Sequence, residues 1–294
     1  MRILLSGVSG FLGSNLANRL VSDGYDVVGI KRRGSVLSRL LENTQSQMVF
    51  CDIEDGLDNI FSRYSIDIIV HAATEYGRNQ LPNAAVLRAN LTLPLDLLDF
   101  ATNKGCKGFV NSDTFFSKNN GIYEYLSAYT TSKKLFNQVS QKYIELTNMP
   151  FANMTIEHMY GPNDGLEKFV PNILSQLALD AQEIEMTMGE QMRDFIYIDD
   201  VIDAYLLVVE SFKRKLLKGY NGFEVGTGQA TSVKDFVLKA HELIDSKSSI
   251  LFGALEYRNN ELKYSRANNE ALRSMGWIPK LSIEDGIKRI VGIK

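Results

Sequence analysis

Between the apolar run Ile3-Leu4-Leu5 and a helical pattern the chain reads Gly7-Val8-Ser9-Gly10-Phe11-Leu12-Gly13, and no other feature narrows the possible folds as much. Each glycine has its own reason: one makes the tight turn, one lets the backbone approach a pyrophosphate, and one lets the helix pack close to the strand. The N–H groups and dipole at the start of that helix suit an anion. The loop therefore predicts a strand–turn–helix unit that binds a nucleotide cofactor through Gly7, Ser9, Gly10, Phe11, Leu12 and Gly13.

The next strand, around Val27–Ile30, ends at Lys31-Arg32-Arg33-Gly34-Ser35. A dinucleotide fold that takes NAD places a carboxylate at this position for the ribose 2′-hydroxyl. Three cations reverse the charge and suit a 2′-phosphate, because arginine grips phosphate through parallel hydrogen bonds and lysine adds a point charge. Lys31, Arg32 and Arg33 thus point to NADPH, a solvated basic loop being the plainer reading.

Short β-branched runs then alternate with helical patterns: Ile3–Leu5, Val27–Ile30, Met48–Cys51, Ile66–His71, Gly108–Asn111 and Phe151–Ile156. This is the signature of an α/β, Rossmann-like, doubly wound parallel sheet. After Ile156 the regularity fades into Gly161-Pro162-Asn163-Asp164-Gly165, where a smaller C-terminal α/β substrate domain is expected. The segment Phe195–Phe212 reads as a strand and an amphipathic helix that return to the first domain. The expected division is 1–156 plus about 195–222 for the cofactor domain, and about 157–194 plus 223–294 for the substrate domain.

Composition limits the partners. The 294 residues carry a formal charge of −3, which gives no field for nucleic acid or an anionic membrane, so small molecules are expected. No apolar run reaches the roughly 20 residues of a membrane span, and Met1 leads straight into a core strand, so a cytoplasmic protein without signal peptide is expected. Cys51 and Cys106 lack metal-ligand spacing and read as buried thiols, while His71, His158 and His241 are too scattered for a metal site. The helical patterns around Ala84–Ala101 and Ser127–Thr147 carry more apolar surface than one sheet face needs, and a homodimer would cover the excess.

Tyr129-Thr-Thr-Ser-Lys133 sets a phenol and an ammonium on one face of a helix that starts near Ser127. A cation beside a phenol favours the phenolate, which is how a tyrosine is tuned for proton transfer. Ser112, at the end of the strand Gly108–Asn111, lies at the carboxyl edge of the sheet, where ligands of doubly wound folds bind.

In this order and spacing the glycine loop, Ser112, Tyr129 and Lys133 resemble the extended short-chain dehydrogenase/reductase family of nucleotide-sugar enzymes, over nearly the whole chain. Further matches are Asp52-Ile53, which resembles the family's adenine contact; His71-Ala72-Ala73 beside the cofactor; Asn90; Tyr160-Gly-Pro162; and Arg193 through Asp200. The resemblance implies that Tyr129 exchanges a proton with a sugar oxygen. It implies that Lys133 holds the nicotinamide ribose and lowers the tyrosine pKa, and that Ser112 orients substrate. Arg258-Asn-Asn-Glu261 and Gly276-Trp277 resemble the nucleotide-sugar segment, with Arg193 and Arg258 clamping a diphosphate. His158 stands where many relatives carry an asparagine, as a ligand contact or a structural polar residue.

Relatives that dehydrate sugars carry adjacent Asp and Glu after the hydroxyl residue, whereas this chain reads Ser112-Asp113-Thr114, which lacks that glutamate. Tyr76-Gly-Arg78-Asn79, the His158 segment through Lys168-Phe169, and Asn260 to Ser265 resemble the reductases that make CDP-paratose or CDP-abequose. They imply NADPH-dependent reduction at C4 of a 4-keto-deoxyhexose linked to CDP or dTDP. Tyr76, Arg78, Asp113, Thr114, His158 and Phe169 are then expected near the sugar nucleotide. A 4-epimerase with bound NAD and a non-enzymatic NADP-binding regulator remain alternatives.

Overall fold

The computed structural model describes residues 1–78, 80–118 and 126–293. Strand and helix alternate as β1 (Arg2–Ser6), α1 (Phe11–Ser22), β2 (Asp26–Lys31), α2 (Glu42–Gln47), β3 (Val49–Asp52), α3 (Leu57–Arg63), β4 (Ile68–His71), α4 (Asn83–Leu87), α5 (Leu93–Asn103), β5 (Gly108–Thr114), α6 (Ser127–Thr147) and β6 (Phe151–Ile156). A seven-stranded parallel sheet results, in the order Tyr220–Val225, β6, β5, β4, β1, β2, β3. The order reverses between β1 and β4, the switch point at which such sheets bind ligands. Its central strands are covered on both faces, so Ile3, Leu4 and Leu5 have no exposed surface and Ile68 to Val70 none either. Each such side chain contributes about 1.5–3 kcal/mol of burial.

The described residues divide into two compact units, one of residues 1–118, 126–155 and 202–223, the other of residues 156–201 and 224–293. The return to the first unit therefore begins at Ile202, later than the expected residue 195. The reason is that Phe195–Tyr197 pairs in parallel with His158–Tyr160 and does not join the large sheet.

In the first unit, Phe109, Phe136 and Phe151 pack between the sheet and α6, with ring centroids of Phe109 and Phe151 at 5.4 Å. On the opposite face the helix Ile198–Lys213 packs so tightly that a Cβ on Gly108 would lie 2.3 Å from the Phe212 ring. Between α4 and α5 the chain makes a π-helical turn, Arg88–Thr92, which accommodates the buried Asn90.

The second unit is held by short strand pairs and by buried carboxylates. Asp194 accepts from the Thr227 and Gly228 N–H groups at 2.8 and 2.9 Å and from Ala267 N–H at 3.1 Å. Asp200 accepts from the Lys280 and Leu281 N–H groups, both at 3.0 Å. The two buried acids of the Arg193–Asp200 segment, Asp194 and Asp200, are thus consumed in tying loops together. Cys106 is buried and its thiol is pushed up to about 11 by desolvation, in keeping with a core thiol. Among the described residues no His, Cys, Asp and Glu cluster could hold a metal, and no helix is long and apolar enough to cross a membrane.

Candidate active site

The glycine loop is shaped as a cradle that side chains would fill. Gly7 has φ of +73°, and a Cβ there would sit 2.6 Å from Ala73 backbone. A Cβ on Gly13 would come within 2.1 Å of the Gly7 carbonyl oxygen. Gly10 is exposed and caps α1, whose first turn holds no acidic side chain, so its N–H groups are open to an anion. Ser9 is half-buried, and Phe11 and Leu12 are buried in the first helical turn. The loop therefore fits the pyrophosphate of a dinucleotide.

At the end of β2 the three cations already have acidic neighbours. Lys31 pairs with Asp52, Arg33 contacts Asp52 at 3.5 Å and Asp55 at 2.5 Å, and Arg32 lies 3.6 Å from Glu75. Lys31 is the main reason the Asp52 carboxyl sits below its ordinary pKa. Asp52, expected against adenine, is thus engaged by Lys31, while half-buried Ile53 opens an otherwise exposed turn beside it. The Arg32 and Arg33 side chains remain 77% and 65% exposed, which leaves them able to reach a phosphate.

Two expected cofactor residues turn inward. His71 is wholly buried, its Nδ1 is 2.8 Å from Ser6 Oγ, and burial with the neighbouring Lys133 charge holds it neutral. Half-buried Ala72 and Ala73 remain at the cradle in its stead. Asn90 spends its amide on the protein, accepting from Glu75 N–H at 2.9 Å and donating to Glu75 O at 2.8 Å and Ser132 Oγ at 3.1 Å. It fixes the loop after β4.

That loop carries Tyr76, whose ring lies 4.8 Å from the ring of Tyr129, and Arg78, whose guanidinium is 5.1 Å from the Tyr76 ring. Tyr76 thus meets the candidate proton donor, and Arg78 lies behind it. Asn79 lies outside the described residues.

The structure corrects the hydroxyl assignment. β5 runs to Thr114, three residues beyond the expected Asn111, so Ser112 lies inside the strand. Alternation puts Gly108, Val110 and Ser112 toward the Ile198–Lys213 helix. There the Ser112 hydroxyl accepts from the buried phenol of Tyr205 at 2.7 Å. Thr114, at the strand end, is the residue whose hydroxyl lies close enough to Tyr129 to pull its pKa down. Asp113 is likewise buried, on the face toward α6, and not exposed for a sugar.

Tyr129, Lys133 and Asn137 share a face of α6, and each meets β5. Tyr129 lies beside Thr114, Lys133 Nζ donates to the Ser112 carbonyl at 2.8 Å, and Asn137 Nδ2 donates to Asp113 at 3.4 Å. Burial raises the Tyr129 pKa well above its ordinary value, against the pull of Thr114 and Arg78. Desolvation brings Lys133 itself down to about 8.

In the second unit, Arg193 is buried, with Nη1 donating to Met192 O at 2.9 Å and Nη2 lying 3.6 Å from Glu261. The Glu261 N–H donates to the Arg258 carbonyl at 3.1 Å, so exposed Arg258 is one turn of chain from Arg193's partner. His158 packs against Phe195 at 5.0 Å and Phe169 at 6.3 Å, and burial, with Arg193 and Lys168, lowers it to about 3. It is a neutral imidazole beside cations. Tyr205, Asn137 and Asn153 went unnoticed in the sequence. Of these only Asn137, four residues after Lys133, had a legible signal in its helical spacing.

A switch-point cradle for a dinucleotide and a Tyr–Lys helix against the fifth strand define an enzyme of the short-chain dehydrogenase/reductase type. The chain belongs to the NAD dependent epimerase/dehydratase family, whose model matches residues 3–221. It is 37% identical to the CDP-abequose synthase of Salmonella typhimurium, covering 98% of this chain and 97% of that one. The CDP-abequose synthase of Salmonella muenchen is 33% identical over 100% of this chain and 98% of the relative. The UDP-glucose 4-epimerase of Thermotoga maritima, solved with UDP-glucose, superposes with a TM-score of 0.85 at 22% identity, covering 100% of this chain and 98% of that one. This last likeness establishes fold alone.

Proposed function

We propose that this protein reduces the C4 keto group of a nucleotide-linked 4-keto-6-deoxyhexose with NADPH, in deoxysugar biosynthesis for surface polysaccharide. A CDP-4-keto-3,6-dideoxyhexose is favoured and a dTDP-4-keto-6-deoxyhexose comes next. The observation that carries the reading is the phenol of Tyr129, set beside Thr114 and Tyr76, in a chain so similar along its length to CDP-abequose synthases.

The glycine cradle, Ala72 and Ala73 would hold the dinucleotide, which supplies a hydride when bound in its reduced form. Tyr129 gives its Oη proton to the ketone oxygen as that oxygen gains charge, and the Thr114 hydroxyl steadies the same oxygen and the phenol. Lys133 keeps positive charge beneath them, tied to the Ser112 carbonyl. Arg193 and Arg258 bind the diphosphate, with neutral His158 as a hydrogen-bonding neighbour.

Burial keeps the Tyr129 phenol protonated in the resting protein, the form from which a reduction starts, whereas an epimerase must first take a proton from a sugar hydroxyl. Dehydration finds no support either. With Thr114 as the hydroxyl residue, the next two positions are Phe115 and Phe116, which can neither protonate a leaving hydroxyl nor abstract a proton.

The assay is NADPH oxidation with CDP- and dTDP-linked 4-ketohexoses. Turnover with the CDP 3,6-dideoxy substrate is expected, and copurified NAD with no turnover on any of them would contradict the reading. Thr114→Val should lower kcat by about 10- to 100-fold, while Ser112→Ala should cost activity only a few-fold, since its hydroxyl serves Tyr205. The opposite ranking would restore Ser112.

The cofactor preference has its own check. Arg32→Ala with Arg33→Ala should raise KM for NADPH by about 10- to 100-fold and leave KM for NADH nearly unchanged, the worth of charge-assisted bonds to one phosphate. Equal effects on both cofactors would mean that these arginines serve only Glu75 and Asp55.

A further inference from the structure

Asp113 is unusual in its surroundings: a carboxylate with only 4% of its surface exposed, in the strand that carries the reacting hydroxyl. Isolated charge at such depth costs several kcal/mol, so its neighbours must answer for it. They do so from three elements. From its own turn, the Thr114 N–H donates to Oδ1 at 2.8 Å and the Ser117 hydroxyl to Oδ2 at 3.0 Å. From β6, Asn153 Nδ2 donates to Oδ2 at 2.9 Å, and from α6, Asn137 Nδ2 reaches it at 3.4 Å.

The donors are themselves held. Asn153 accepts from Asn111 Nδ2 at 2.7 Å, and Asn137 accepts from the Tyr220 phenol at 2.5 Å. The Ser117 hydroxyl also reaches the Thr114 carbonyl at 2.7 Å, so one short turn is closed on both sides of Thr114. The Phe116 N–H completes it by donating to Thr114 Oγ1 at 3.4 Å.

We infer that Asp113 is a positioning residue: its carboxylate clamps the end of β5 to β6 and to the helix of Tyr129, and so holds the Thr114 hydroxyl against the phenol. This rests on the proposed role of Thr114 and Tyr129. A two-sided anchor is what the geometry requires, because Thr114 is the last strand residue and no further ladder bond fixes its side chain. Lys133 and Tyr129 on α6, Tyr205 on the Ile198–Lys213 helix and Tyr220 on the edge strand all feel the Asp113 charge. Burial raises the carboxyl pKa, and the Asn153, Thr114 and Ser117 bonds oppose that rise.

The test uses the full chain labelled with carbon-13 at tyrosine Cζ, the Tyr129 resonance being the one missing in Tyr129→Phe. Thr114→Val gives the displacement caused by loss of the hydroxyl. Asp113→Asn keeps the size but turns an amide donor toward Ser117 and Asn153. The Tyr129 resonance should move in the direction seen in Thr114→Val. With substrate, kcat should fall about tenfold while KM stays within about twofold. An unmoved Tyr129 resonance in folded Asp113→Asn overturns the inference, whatever the melting temperature does. If Asp113→Asn does not fold, Ser117→Ala removes a single donor and is read by the same resonance with the same two outcomes. The resonance needs neither cofactor nor substrate, so a wild type inactive on every ketosugar refutes the reductase reading alone.

Discussion

Tyr129→Phe should fold and melt like the wild type yet lose about 100- to 10,000-fold in kcat, the range over which a positioned proton donor acts. The substitution removes one oxygen and leaves the ring against Tyr76. Among the described residues, the resting protein loses the interaction of the phenol with Thr114. Because burial holds the phenol protonated far above neutral pH, Tyr129 supplies no alkaline limb to the rate profile. Such a limb comes from Lys133, near pH 8, and the rate of reduction should fall as pH rises through that value. Steady-state kinetics from pH 6 to 10, with binding of reduced dinucleotide followed by fluorescence, separate loss of chemistry from loss of cofactor. Residual activity within a few-fold of wild type would remove Tyr129 from the mechanism.

Lys133→Met should abolish reduction and, at the same time, stabilise the cofactor-free protein at pH 7 by about 1–3 kcal/mol. The sign follows from burial. The lysine is fully buried and its pKa falls from 10.5 to about 8, so the folded chain binds this proton less tightly than the unfolded chain. Below pH 8 both states carry the proton and the whole penalty is present. Between pH 8 and 10.5 the unfolded state holds more protons, so stability from this group rises with pH. A methionine of similar shape never carries the charge, and loses the bond to the Ser112 carbonyl and the attraction of the Asp113 carboxylate. Urea denaturation of both proteins at pH 7 and at pH 10 should show the advantage of Lys133→Met shrinking at the higher pH. A variant less stable than wild type at pH 7 would mean that the ammonium is a net structural asset.

Much of this was legible in the chain. The glycine loop sits where its spacing demanded, and α6 spans the expected Ser127–Thr147 with Tyr129 and Lys133 on one face. Periodicity reveals such features because they depend on neighbours close in sequence. The hydroxyl residue was misread because strand ends are not encoded by alternation. An extension of β5 from Asn111 to Thr114 moved the site two residues along and turned Ser112 toward Tyr205. Asp113 was expected at the sugar because nothing local reveals Asn153, forty residues away, as its partner. His71 and Asn90 were placed beside the cofactor, and their long-range bonds to Ser6 and Glu75 show them supporting the loops that line it.

The most direct test of the central claim uses NADPH carrying deuterium at nicotinamide C4, prepared separately in each of its two stereochemical forms, with the CDP-linked 4-keto-3,6-dideoxyhexose. One form should place a single deuterium at C4 of the sugar, read by mass and by loss of the C4 proton signal, with one oxidised cofactor formed per product. Deuterium at no sugar carbon, or sugar interconverted without cofactor oxidation, would contradict the account.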